Sequence, residues 1–141
     1  MLYLDTSSLL KTVFAEPESE AVDAALVGED VVVLTPLAEL EALVQVRARW
    51  LAGALTKAKY RRLLEMLESL KQIDPFAFHE LPSAIFGMAL RQHRAAERIH
   101  CRSLDRLHLA AMEELGLTRL MTHDSRQSEG ARALGFEVIT P

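Results

Sequence analysis

The chain has 141 residues, half of them apolar, a formal charge of −4 and a single cysteine, Cys101. That is enough apolar material for one sizeable core, and one thiol excludes both an internal disulfide framework and a thiolate metal site. No apolar run is long enough to span a bilayer and no charged segment precedes an apolar one at the start, so a soluble cytoplasmic protein of one domain, residues 1–141, is expected.

The chain opens on Met1-Leu2-Tyr3-Leu4-Asp5-Thr6-Ser7-Ser8, an apolar run that stops on a carboxylate and turns into hydroxyl side chains. Leu2 to Leu4 suit a strand buried on both faces, and Thr6, Ser7 and Ser8 offer N-cap oxygens to a helix over Leu9 to Phe14. Asp5 then stands at the carboxyl end of a strand, where open α/β sheets bind ligands; it could equally do no more than cap the helix. Glu18 to Leu26 reads as a short helix ending near Gly28, and Val31 to Leu34 as the second strand.

Thr35-Pro36 starts the next helix, to about Ala52, with a cap followed by a proline in the first turn. At about 100° per residue Leu37, Leu40, Val44, Ala48 and Leu51 share a stripe expected to face the core, with Glu41 inside it and Glu39 opposite. Two readings of Glu41 stay open: an edge carboxylate reaching water, or a metal or catalytic ligand. Leu43, Val46 and Trp50 form a second apolar stripe, expected to lie outward and to be covered by another helix or a partner chain.

Thr56 opens a helix with Tyr60, Leu63, Leu64, Leu67 and Leu70 at helical spacing. Asp74-Pro75 ends it, Phe76 to Leu81 forms the third strand, and Pro82-Ser83 starts a helix through Ala96. Ser103 is the expected cap of a helix that turns Asp105 and His108 toward the side of Leu109 and Met112; His108 reads as a satisfied core histidine. Arg119 to His123 is the fourth strand, ending on Asp124 as the first ends on Asp5, and Phe136 to Ile139 is the last. The alternation implies an α/β fold: a mainly parallel central sheet of about five strands with helices on both faces.

Charge is unevenly spread. Residues 1–41 hold nine acids against Lys11 alone, whereas Arg91, Arg94, Arg98, Arg102 and Arg106 face only Glu97 and Asp105 over a short span. A solvated helix face explains such a run, and a phosphate-steering patch of Arg91, Arg94, Arg98 and Arg102 is the functional alternative. The fold would bring four acids, Asp5, Glu41, Asp105 and Asp124, to one edge of the sheet with no basic partner evident. Gathered carboxylates repel, and the natural compensation is a hard divalent cation, Mg²⁺ or Mn²⁺, which can activate water for attack on a phosphate.

With Leu4-Asp5-Thr6-Ser7-Ser8-Leu9, Thr35-Pro36-Leu37-Ala38-Glu39-Leu40-Glu41, Cys101 to Ala110 and Thr122 to Gln127 in this order, the chain resembles the PIN-domain nucleases, and among them the VapC-type toxins of toxin–antitoxin systems. The resemblance implies a Mg²⁺-dependent endoribonuclease with Asp5 and Asp105 as principal metal ligands and Glu41 and Asp124 completing the site. It implies Ser7 as an accessory ligand, Thr122 and Gln127 as supports behind the acids, and RNA, a cognate antitoxin and a second copy of the chain as partners. His123 stands where the family usually has an apolar or aromatic residue and is expected to face away from the acids. The rival class is a PIN-like module that no longer cuts and works by binding protein or RNA; the presence of all four acids weighs against it. The metal chemistry makes no use of a 2′-hydroxyl, so single-stranded DNA is also a compatible substrate, and the bases read are not legible. A receiver domain would want an acidic pair after the first strand, and no Gly-rich phosphate loop occurs.

Overall fold

Leu2, Tyr3 and Leu4 form β1 (Leu2–Leu4), fully buried and the middle strand of the sheet. The computed structural model describes residues 1–141. After β1 come α1 (Thr6–Val13), α2 (Ser19–Val27), β2 (Val32–Leu34), α3 (Pro36–Leu51), α4 (Lys57–Ser69) and a 3-10 turn at Leu70–Gln72. Then follow β3 (Phe76–Phe78), α5 (Ala84–Ala95), α6 (Ser103–Glu114), β4 (Arg119–Met121), α7 (Ser125–Ala133) and β5 (Glu137–Ile139). The five strands are all parallel, in the order β3-β2-β1-β4-β5.

From β1 the chain steps outward through β2 to β3 on one side, then returns to build β4 and β5 on the other. Strand order therefore reverses between β1 and β4, and the crevice at their carboxyl ends is where such sheets bind ligands. Asp5 follows β1 and Asp124 follows β4 by three residues, so the topology alone puts both acids beside that crevice. Alternation along β1 sends Leu2 and Leu4 into a core with α1 to α4, and Tyr3 into a second core with α5, α6 and α7.

The packing of α3 is the reverse of the expectation. Its buried residues are Ala38, Ala42 and Val46, whereas Leu40, Val44 and Leu51 are 60%, 55% and 72% exposed. Leu43 and Val46, expected to point outward, belong to the first core, and Trp50 stacks on Tyr60 of α4 with ring centroids 4.5 Å apart. The chain's own α4 thus covers the stripe assigned to a partner. Small side chains decide this: Ala38 and Ala42 let α3 approach α1 closely, and size-weighted periodicity gives alanines little vote.

Local capping also differs. Asp5 itself caps α1, its Oδ1 accepting from the Ser8 N–H at 2.9 Å, so Thr6 and Ser7 are the first helical residues. Arg102, not Ser103, holds the cap position of α6, and Asp105 reaches back to accept from the Arg102 N–H at 3.2 Å. Val31, His123 and Phe136 fall just outside the strands, and β3 stops at Phe78. At Gly130 of α7 a Cβ would overlap the Cys101 Sγ and meet Leu109 Cδ1 at 3.0 Å, so only glycine lets α7 sit this close to α6. No helix is long and apolar enough to cross a membrane.

Candidate active site

Asp5, Glu41, Asp105 and Asp124 line one cavity of about 410 Å³, together with Thr6, Ser7, Gln45, Arg102, His108 and Gln127. A larger cavity of about 770 Å³ lies on the α5–α6 face, but no acid lines it. Chemistry rather than size therefore marks the acidic cavity as the site.

Each acid is held differently. Asp5 is 3% exposed and accepts from the Ser8 N–H, from Ser7 Oγ at 2.9 Å and from Thr122 Oγ1 at 2.8 Å. Burial pushes its carboxyl above the usual carboxylate range, opposed in part by the neighbouring His108 ring and by those hydrogen bonds. Glu41 accepts at a single oxygen: its Oε2 lies 2.7 Å from His108 Nε2 and 2.6 Å from Thr6 Oγ1. Burial raises its carboxyl too, but His108, Thr6 and the Arg102 charge together hold it below the ordinary range.

Asp105 and Asp124 share Arg102. The guanidinium donates through Nε to Asp105 Oδ2 at 2.8 Å, through Nη2 to Asp105 Oδ1 at 3.2 Å, and through Nη2 to Asp124 Oδ2. Asp124 also caps α7, its Oδ1 accepting from the Arg126 and Gln127 N–H groups at 2.9 Å. The acids do have a basic partner, contrary to the sequence expectation. It was hidden because Arg102 precedes Asp105 by three residues, just before the helix, and reads as one more member of the arginine run.

The supporting residues fall around Asp5. Ser7 Oγ accepts from the His123 N–H at 2.8 Å as well as contacting Asp5. Thr122 Oγ1 lies within reach of both Asp5 and Gln127 Oε1, and accepts from the Asp124 N–H. Gln127 is 1% exposed, its Oε1 accepts from Thr122 Oγ1, and its buried Nε2 has no partner in the protein. The His123 ring turns away, toward Ser8 Oγ at 3.0 Å and the Pro141 carbonyl at 3.3 Å.

The four arginines considered for phosphate steering have different surroundings. Arg102 sits in the acidic cavity, Arg98 lines a separate cavity near α7, Arg91 turns toward Glu114, and Arg94 is exposed. Glu39, on the other side of α3 from Glu41, pairs with Lys71 at 2.6 Å. Three residues that the sequence did not single out also enter the site: Thr6, Tyr3 and, behind it, Thr35. His108 is the satisfied histidine expected, but what satisfies it is Glu41 on one side and the Tyr3 hydroxyl, at 2.8 Å, on the other.

Four carboxylates are hard oxygen donors of the kind that Mg²⁺ and Mn²⁺ take, so the donor set fits such a cation. As arranged, no three acid or histidine side chains close on one point. The reason is visible: Arg102 draws Asp105 and Asp124 onto itself, while His108 and Thr6 draw one oxygen of Glu41.

A PIN domain family model matches residues 2–133, and the chain belongs to that family. It is 34% identical over 149 residues to Ribonuclease VapC47 and 32% identical over 142 residues to Ribonuclease VapC46, both of Mycobacterium tuberculosis, covering 100% and 99% of this chain and 97% of each relative. Its fold is similar to that of M. tuberculosis VapC20, described as a toxin cleaving the sarcin–ricin loop (TM-score 0.77, 14% identity, both chains covered in full). A similar fold occurs in Rickettsia felis VapBC2, described as bound to a promoter DNA fragment (TM-score 0.70, 12% identity, 99% of this chain and 98% of that one).

Proposed function

We propose that this protein is a Mg²⁺-dependent endoribonuclease, with Mn²⁺ able to substitute, and that it is the toxin of a VapBC-type pair acting in the cytoplasm. The observation that carries this reading is the convergence of Asp5, Glu41, Asp105 and Asp124 on one cavity at the point where strand order reverses. VapC-type relatives at about a third identity over nearly the whole chain support it.

In this reading Asp5 and Asp105 hold the cation, with Glu41 and Asp124 completing the acidic set. When bound, the cation supplies Lewis-acid stabilisation of the charge that develops on a phosphodiester under attack by water. The chain's own residues orient the acids. Ser7 and Thr122 fix the Asp5 carboxylate by hydrogen bonds, and the α7 N-terminus fixes Asp124. Gln127 stands behind Thr122, its Oε1 accepting from the same hydroxyl that contacts Asp5. Arg102 pairs with both Asp105 and Asp124, so a cation held by these acids would have to take the place of its guanidinium.

The partner surface moves with the corrected packing of α3. Leu40, Val44 and Leu51, exposed beside the Glu41 face, now form the apolar stripe that an antitoxin segment or a second copy of the chain covers. The testing experiment is cleavage of a generic single-stranded RNA by purified protein in EDTA, Mg²⁺ and Mn²⁺, with a DNA strand of the same sequence alongside. Metal-dependent cuts in RNA are expected. Cation binding without cleavage of either strand would leave the binding-module reading in its place.

A further inference from the structure

The hydrogen bonds that hold Glu41 extend well beyond the cavity. His108 is 2% exposed, and its ring stands between two partners: Nε2 at 2.7 Å from Glu41 Oε2 and Nδ1 at 2.8 Å from the Tyr3 hydroxyl. Tyr3 is fully buried on the central strand, its ring edge-on to the imidazole, and its hydroxyl also lies 3.1 Å from Thr35 Oγ1. Thr35 is the N-cap of α3, the helix that carries Glu41.

With a neutral imidazole, the hydrogen bonds admit one consistent direction along this chain. A carboxylate has no proton to give, so Nε2 must be the donor to Glu41. Burial holds the Tyr3 phenol protonated, so its O–H needs an acceptor, and Nδ1 of a ring already protonated at Nε2 is one. Thr35 can then give its proton to the Tyr3 oxygen while its own oxygen receives the weak Ala38 N–H contact at 3.5 Å.

We propose that Tyr3 and His108 are positioning residues for Glu41: Tyr3 holds the His108 ring in place through Nδ1, and His108, with Thr6, pins Glu41 Oε2 so that Oε1 is left for a cation. The metal-nuclease reading is needed only for what Glu41 serves; the hydrogen-bonded chain stands on its own geometry. Sequence placed His108 in the core and was right about its burial, but the same ring is the link between the central strand and an acid of the cavity. Outer hydrogen-bond partners of metal-binding side chains commonly change affinity by about 10- to 100-fold when removed, and an effect of that size is expected here.

Two measurements on the full chain decide this. The first is ¹⁵N NMR of histidine-labelled, metal-free protein at pH 8, where wild-type His108 is expected to carry its proton on Nε2 with Nδ1 accepting from Tyr3, and Tyr3→Phe to move the Nδ1 resonance to that of an imidazole nitrogen without a hydrogen bond. A wild-type His108 protonated at Nδ1 overturns the proposal. The second is calorimetric titration with Mn²⁺. Tyr3→Phe and His108→Leu are expected to bind about 10- to 100-fold more weakly, and His108→Gln, whose amide N–H reaches the place of Nε2, to recover most of the loss. Tyr3→Phe keeps the ring and carries the test if His108→Leu does not fold. Equal Mn²⁺ affinity in wild type and Tyr3→Phe overturns the positioning role. A wild type that neither binds Mn²⁺ nor cuts RNA brings down the nuclease reading and Glu41's service to a cation with it, whereas the NMR result still decides the Tyr3–His108–Glu41 chain.

Discussion

Replacing Arg102 by glutamine removes the positive charge that Asp105 and Asp124 share while leaving a side chain of similar reach. At an effective dielectric of 20 two unit charges about 4 Å apart interact by roughly 4 kcal/mol, but the Arg102 side chain is 56% exposed, so solvent screening reduces this strongly. Exposed pairs contribute about 0.2 to 1 kcal/mol each, and Arg102 makes two, one of them two-pronged, which gives about 1 to 2 kcal/mol in total. In chelator Arg102→Gln should therefore melt about 2 to 8 °C below wild type, taking about 2 to 4 °C per kcal/mol for a chain near this size. Mn²⁺ should reverse the order. In wild type a cation must first displace the guanidinium, whereas in Arg102→Gln the acids are free, so Mn²⁺ should bind about 5- to 30-fold more tightly. Differential scanning fluorimetry in EDTA and across a Mn²⁺ titration, at low salt, reads both effects. If Arg102→Gln matches wild type in chelator and takes up Mn²⁺ no more tightly, the guanidinium is not standing in for a cation. By the same geometry Asp105→Asn should lose stability in chelator, because its carboxylate both pairs with Arg102 and accepts the Arg102 N–H at the start of α6.

Asp5→Asn is expected to lower RNA cleavage by more than about 100-fold, while Glu39→Gln, which only breaks a surface pair with Lys71, keeps full activity; the reverse ranking in a gel assay would refute the site. The same Asp5→Asn protein should melt above wild type in chelator at neutral pH. The folded state raises the Asp5 carboxyl above its ordinary 3.8, so burial of the charge weighs on the fold at high pH, and the gap should close as pH falls through the raised value toward 3.8. Glu29 runs the other way: Arg119 grips it with two bonds of 2.7 and 2.8 Å and holds its carboxyl below 4.5. Glu29→Gln should cost about 1 kcal/mol at neutral pH and converge with wild type as acid takes the solution down through the lowered value, by urea unfolding at several pH values. Gly130→Ala should lower stability by about 1 to 3 kcal/mol, since its methyl group must displace the Cys101 sulfur or move α7; an unchanged melting temperature would mean that α7 adapts at no cost.

Much of this protein is legible in its sequence for local reasons. Leu2-Tyr3-Leu4 can only be a doubly covered strand, Thr35-Pro36 and Asp124-Ser125 announce helix starts, and alternation of short apolar runs with amphipathic helices leads to a parallel sheet. An acid at the end of each of two strands is likewise readable, because strand ends lie on one edge of such a sheet whatever the details of packing. What the sequence left open are choices between equally periodic alternatives. On α3 two apolar stripes compete, and the one with the larger side chains, Leu40, Val44 and Leu51, lost to Ala38, Ala42 and Val46 because close approach of α1 rewards small residues. Arg102 could not be told from Arg91, Arg94 and Arg98 by composition; only the turn into α6 brings its guanidinium onto Asp105 and Asp124. Tyr3 lies on β1, Thr35 and Glu41 at the start of α3 and His108 on α6, and no spacing rule relates these three elements. Tertiary structure alone decided that a core histidine and an acid of the cavity meet, because the distance between residues on different elements depends on how the helices pack against the sheet, which the local pattern of each element does not encode.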